Sequence, residues 1–186
     1  MMILIVLIAL TALLAFIGGR FSRPLSGRRR KGWRLFHWVF AILYFSGVLG
    51  ALLLVAAAAR TGDGALIYAA HLFAKYCDWF LIIPGAFGSL ITGTWLAVRT
   101  HWGLLQYYWV IGKVAGNIGA ILFGSTYMRL WFDETITASL PGGIHPLVNP
   151  HYLHNREMLF WGTILSLVIL TSLLVLSVVK PGGKRA

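Results

Sequence analysis

Five long apolar runs, at 2–18, 35–59, 65–98, 103–126 and 158–179, leave this 186-residue chain few ways to fold. The hydrocarbon core of a bilayer is about 30 Å thick, and a helix rising 1.5 Å per residue crosses it in about 20 residues. Backbone groups in that medium must find partners inside the chain, which restricts spanning segments to helices and closed barrels. Runs this long and continuous read as helices. The expectation is an all-α polytopic membrane protein, a bundle of five transmembrane helices in a single membrane domain over 1–186. A basic loop at 19–34 and an outer loop at 127–157 complete it.

Lys and Arg are retained on the cytoplasmic side during insertion, so the connecting segments give an orientation. Arg20, Arg23, Arg28, Arg29, Arg30, Lys31 and Arg34 lie between the first two runs, Arg99 follows the third, and Lys180, Lys184 and Arg185 follow the fifth. Those eleven cations share one side with no acidic residue, whereas Asp63, Asp133, Glu134 and Glu157 fall on the other with Arg60, Arg129 and Arg156. The N-terminus is therefore expected outside and the C-terminus inside a bacterial cytoplasmic (inner) membrane.

The net charge of +11 is accounted for by these flanking segments, where it suits anionic lipid headgroups. No nucleic-acid motif accompanies it, and nucleic acid is not expected as a partner. The first run lacks a preceding basic residue and a small-x-small cleavage site, so it reads as a retained helix. Cys77 is the single cysteine, which excludes an internal disulfide or a cysteine metal pair. No nucleophile motif, phosphate-binding glycine loop or zinc signature points to an enzyme.

Helices in lipid approach through small residues. Gly112, Gly116, Ala120 and Gly124 form one stripe, Gly85, Gly88, Ser89, Thr92 and Gly93 a second, and Ser46, Gly47 and Gly50 a third, predicting close packing among helices two, three and four. Pro84 interrupts the third run and is expected to distort it. Tryptophan and tyrosine gather near both interfaces, as membrane belts do.

Ionisable residues inside spans cost at least ~2.5 kcal/mol unless paired or hydrated and mark candidate sites. His71, Lys75 and Asp78 share one helical face, and Lys113 and Asn117 form an i, i+4 pair in the fourth helix. Asp78 is the only carboxylate in an expected span, so a pair with Lys113 is the economical arrangement, either fixing register or belonging to a relay. His37 and His101 are at matched depth near the cytoplasmic side, the placement bis-imidazole haem b ligation requires, with His71 and an outer histidine as a second pair. In the outer segment His151, His154 and Glu157 at i, i+3 and i+6, with His145 nearby, could converge on a metal if the fifth helix extends outward. Pro141-Gly142-Gly143, Pro146 and Pro150 argue instead for an irregular loop.

The stretches from Pro84 to Gly93 and from Trp102 to Lys113, with the closing Lys180-Pro181-Gly182, resemble a family of small bacterial integral membrane proteins of unknown function. The Trp102-Gly103-Leu104 to Trp109-Val110-x-x-Lys113 stretch is the most specific part. That resemblance implies a membrane fold and no assigned activity. More loosely, His37 with Gly47 is similar to the His-then-Gly helix of copper resistance D-type membrane proteins, and the matched histidine depths are similar to those of cytochrome b561-like bundles. Three roles follow: a non-enzymatic component that binds a membrane protein partner or a second copy of itself, a haem b electron carrier, and a transporter of protons, metal ions or a small solute using Asp78 and Lys113.

Overall fold

The computed structural model describes residues 2–21 and 25–185, which leaves Arg23 outside. It is 82% helical, with no strand among the described residues, so the all-α class holds. Five helices follow one another: α1 (Met2–Gly19), α2 (Gly27–Ala58), α3 (Gly64–Val98), α4 (108–138) and α5 (Pro150–Val179). Of these, α1, α2, α3 and α5 are long and apolar enough to cross a membrane. In α4 the α-helical stretch Tyr108–Phe123 has 16 residues, about 24 Å, before it widens into a π turn at Gly124–Met128 and continues as Arg129–Ala138.

The helices outrun their apolar stretches. Gly27 opens α2 eight residues before position 35, making Arg28 to Arg34 helical rather than loop, because Lys and Arg are good helix formers and need no apolar surroundings. The expected outer loop at 127–157 shrinks to 139–149, since α4 runs on to Ala138 and α5 begins at Pro150. Asn149 starts α5 by accepting hydrogen bonds from the backbone of His151 (3.0 Å) and Tyr152 (3.4 Å), with Pro150 in the first turn where its missing N–H costs nothing. Asp63 caps α3 in the same manner through Ala65 N–H at 2.8 Å. The distortion expected at Pro84 is a π turn over Asp78–Ile82, closed by the Ile83 N–H on the Asp78 carbonyl.

Packing is concentrated in two units, one of residues 1–42, 85–122 and 169–186, the other of 43–84 and 123–168. In the first, α2 and α3 meet where Gly88 admits the Phe40 ring and Gly93 the His37 imidazole; a Cβ at Gly88 would run into that ring. On the α4 stripe Gly116 lies against Leu173 and Gly112 against Leu176, so α5 joins this packing, while α4 also meets α3 through Asn117, which donates to Ser89 at 3.0 Å. Arg99 donates to the carbonyls of Gly18 (3.3 Å) and Phe21 (3.1 Å), satisfying acceptors left open at the end of α1. In the second unit, Ala51, Val55, Ala74, Met128, Phe132 and Leu159 form a buried core. Gly47 there lets α2 touch Leu81 and the backbone of Ile82.

Candidate functional site

In the first unit α2, α3 and α4, with Lys180 just past the end of α5, line a cavity of about 450 Å³, a size typical of small-molecule sites. From α2 come Arg30, Arg34 and His37, at the i, i+4, i+7 spacing that aligns side chains along a helix. From α4 come Trp109, Val110, Lys113, Val114 and Asn117 on a similar stripe. The last turns of α3 add Ser89, Leu90, Gly93 and Thr94, and Thr100, His101, Trp102 and Lys180 surround the end where the helices terminate. From Thr100 to Ser89 is eleven residues, so the cavity reaches about 16 Å along the helices.

Four cationic side chains, Arg30, Arg34, Lys113 and Lys180, thus face one space, and the unit that holds them contains no Asp or Glu at all. What the unit offers these cations is neutral. Lys113 Nζ donates to Ser177 Oγ at 2.5 Å, and that hydroxyl in turn donates to the Leu173 carbonyl at 3.0 Å. Lys180 Nζ stands 4.8 Å from the Trp102 ring centroid, a cation–π contact. Lys180 is held there by a C-terminal strap in which Gly182 takes φ 85°, Tyr107 bridges Lys184, and Arg185 N–H donates to the Gln106 carbonyl at 2.7 Å.

Hydrogen bonding fixes the roles of the neutral polar groups. The Thr92 hydroxyl donates to the Gly88 carbonyl at 2.6 Å, so at 2.9 Å from His37 Nδ1 its oxygen must accept. His37 therefore carries its proton on Nδ1 and keeps the lone pair on Nε2. The Ser89 hydroxyl donates to Ala86, so Asn117 donates to Ser89 at 3.0 Å, which leaves Asn117 Oδ1 buried without a partner.

The second unit holds the rest of the expected residues, and there charge meets charge. Lys75, nearly buried, lies 3.1 Å from Asp133 and 3.9 Å from Asp78, between the rings of Phe132 and Trp79. His71, fully buried, shares a 3.1 Å hydrogen bond with the Tyr152 hydroxyl. Arg129 adds a second cation to Asp133 at 3.7 Å. Asp78 and Lys113 thus find their partners separately: Asp78 uses Lys75 within the second unit, and Lys113 uses Ser177 within the first.

The expected metal residues have separate tasks. His145 Nε2 donates to the Gly62 carbonyl at 3.1 Å while its Nδ1 accepts from Leu147 N–H at 3.3 Å. His151 lies 3.6 Å from Glu134 and 3.3 Å from Asn155, and His154 and Glu157 are exposed. Although α5 does begin before its apolar run, at Pro150, no group of three or more His, Cys, Asp or Glu gathers to hold a metal among the described residues.

Sequence reasoning placed His37, His101, Lys113 and Asn117 in two separate pairs, and the structure brings all four to one cavity. It missed Arg30, Arg34 and Lys180 as site residues, reading them as flanking charge, and missed Asp133 as the partner of Lys75. A signal was present: every acidic residue lies within 63–157, so the segments forming the first unit had no countercharge of their own. No curated protein and no solved structure matches the chain. A family profile does match, over residues 33–181 and so including α2 from Trp33, α3, α4 and α5, and the chain belongs to that family, described as predicted integral membrane protein (DUF2269).

Proposed function

We propose that this integral membrane protein is a non-enzymatic component of the bacterial cytoplasmic membrane that holds an anionic ligand in the cavity of its first unit. The basic end of that unit then faces the cytoplasm, with the N-terminus outside. The observation that carries this reading is the set of four cations lining one cavity in a unit without a carboxylate. An ammonium inside a span costs at least ~2.5 kcal/mol when uncompensated, and among the described residues the hydrogen-bond partner of Lys113 is a hydroxyl. A bound anion supplies the missing countercharge, through charge-assisted hydrogen bonds roughly twice as strong as neutral ones.

The test is isothermal titration calorimetry of the purified full chain with inorganic phosphate at constant ionic strength. Saturable binding that weakens about tenfold or more in Lys113→Met, and persists in Lys75→Met, is the expected result. Absence of binding, or equal binding by Lys113→Met, contradicts the reading.

A second reading has its own support. His37 and His101 both line the cavity, and His37 presents Nε2 with its lone pair. Haem b held by these two imidazoles would make the unit an electron carrier. An absorption spectrum of oxidised and dithionite-reduced protein decides it: a Soret band lost in His37→Ala supports haem, and a colourless, folded preparation from a haem-sufficient host rejects it.

A further inference from the structure

We infer that the anion of this cavity is hydrogen phosphate, selected by an O–H that it donates to His37 while Lys113 meets its charge, an inference that rests on the anion reading above. The two residues reach one level of the cavity from different helices. α3 and α4 are joined by the short segment 99–107 and run antiparallel. Asn117 donates to Ser89, so Lys113, one turn before Asn117 on α4, comes level with Gly93, one turn beyond Ser89 on α3. The His37 ring of α2 packs against that same Gly93, where a Cβ would lie 3.1 Å from Cε1. His37 and Lys113 are partly buried in the cavity wall, whereas Arg30, Arg34 and Lys180 are exposed and attract any anion alike.

What each group offers is fixed by its neighbours. Lys113 Nζ can only donate. Thr92 spends its hydroxyl proton on the Gly88 carbonyl at 2.6 Å, so His37 gives Nδ1–H to Thr92 and Nε2 is left as an acceptor that no donor reaches among the described residues. The Ser89 hydroxyl is spent as well, on the Ala86 carbonyl at 2.9 Å, and accepts from Asn117. At this level the side made by α2 and α3 therefore accepts and the α4 side donates. A fully deprotonated oxyanion would set an oxygen lone pair against that of Nε2, whereas hydrogen phosphate satisfies Nε2 with its O–H and Lys113 with its charged oxygens. Sulfate has the same charge and tetrahedral shape and no proton to give. A phosphomonoester, with a second pKa of about 6, has lost its proton above that pH, so the requirement assigns the site to the inorganic ion and not to a lipid head.

Titration of the full chain with phosphate, sulfate and monofluorophosphate, at equal ionic strength and about pH 8, where imidazole is ordinarily neutral, tests this. Monofluorophosphate keeps the shape and charge of hydrogen phosphate and carries fluorine in place of the hydroxyl. Phosphate is expected to bind at least about tenfold tighter than either analogue, because a site built to receive an O–H rejects ligands that lack it. That preference is expected to disappear in His37→Asn, whose amide can replace Nδ1 at Thr92 and falls short of the place of Nε2, while phosphate still binds through Lys113. Either analogue binding the unsubstituted chain as tightly as phosphate overturns the inference, whether or not the variant folds, and leaves the anion reading intact. A preference that survives His37→Asn does the same. Failure of all three ions to bind removes both.

Discussion

The two units of this protein handle charge in opposite ways. The first carries twelve Lys and Arg and no acid, while the second carries four Lys and Arg against five acids. Lys75 and Lys113 make the contrast concrete. Each is a lysine on a long helix, yet Lys75 has two carboxylates and two aromatic rings around it, and Lys113 has one hydroxyl. A unit that neutralises itself is complete as folded. In the first unit four cations line one open space with no carboxylate in the unit, and that contrast is what the proposed anion site rests on.

Close packing sets the largest expected effects, and here too the units differ. At Gly47, in the second unit, a Cβ would lie 2.7 Å from Leu81 Cβ and 3.0 Å from the Ile82 backbone nitrogen, neither of which can yield without moving α3. At Gly88, in the first, it would meet Cγ and Cδ1 of the Phe40 ring, a clash relieved only when that side chain moves to another χ1 rotamer, with no backbone atom among the contacts. Gly47→Ala is expected to destabilise by about 3 kcal/mol and Gly88→Ala by about 1 kcal/mol, measured by denaturant unfolding in detergent. The reverse order would show that backbone contact is not what limits the second unit.

Charge gives the next contrast. Asp133→Asn leaves Lys75 nearly buried with only Asp78 at 3.9 Å, and is expected to cost about 2 kcal/mol, less than a fully buried pair because Asp133 is half exposed. Lys113→Met strands no carboxylate and, without added anion, is expected to cost less than about 0.5 kcal/mol or to stabilise. If both variants lose stability equally, Lys113 has a structural partner and the contrast fails. Tyr152→Phe, which removes one buried hydrogen bond from His71, falls between these two and is expected to cost about 1 kcal/mol in the same unfolding measurement.

The fold was legible in the sequence as far as lipid dictates it. The apolar runs all gave helices, four of them long and apolar enough to cross a membrane, but the runs do not mark where a helix stops. Arg28 to Arg34, Arg129 to Ala138 and His151 to Glu157 are helical without being apolar. The start of α5 had a readable signature in Asn149-Pro150, a cap followed by a first-turn proline, which the glycines and prolines just before it obscured.

At the site, spacing along one helix was informative and pairing between helices was not. Lys113 with Asn117, and Lys75 with Asp78, follow from 3.6 residues per turn. That Lys75 would take Asp133, 58 positions away, or that Arg30, Arg34 and Lys180 would join Lys113 at one cavity, depends on helix rotation and depth, which hydropathy does not encode.

The contrast between the units is tested most directly by thermal unfolding of the unsubstituted protein, Lys113→Met and Lys75→Met, each with phosphate and with chloride at equal ionic strength. A ligand at about 100 times its dissociation constant stabilises by about 2.7 kcal/mol, so the account predicts a phosphate-specific rise in melting temperature for the unsubstituted protein and Lys75→Met, and none for Lys113→Met. The same rise in Lys113→Met, or no rise in any of the three, would contradict it.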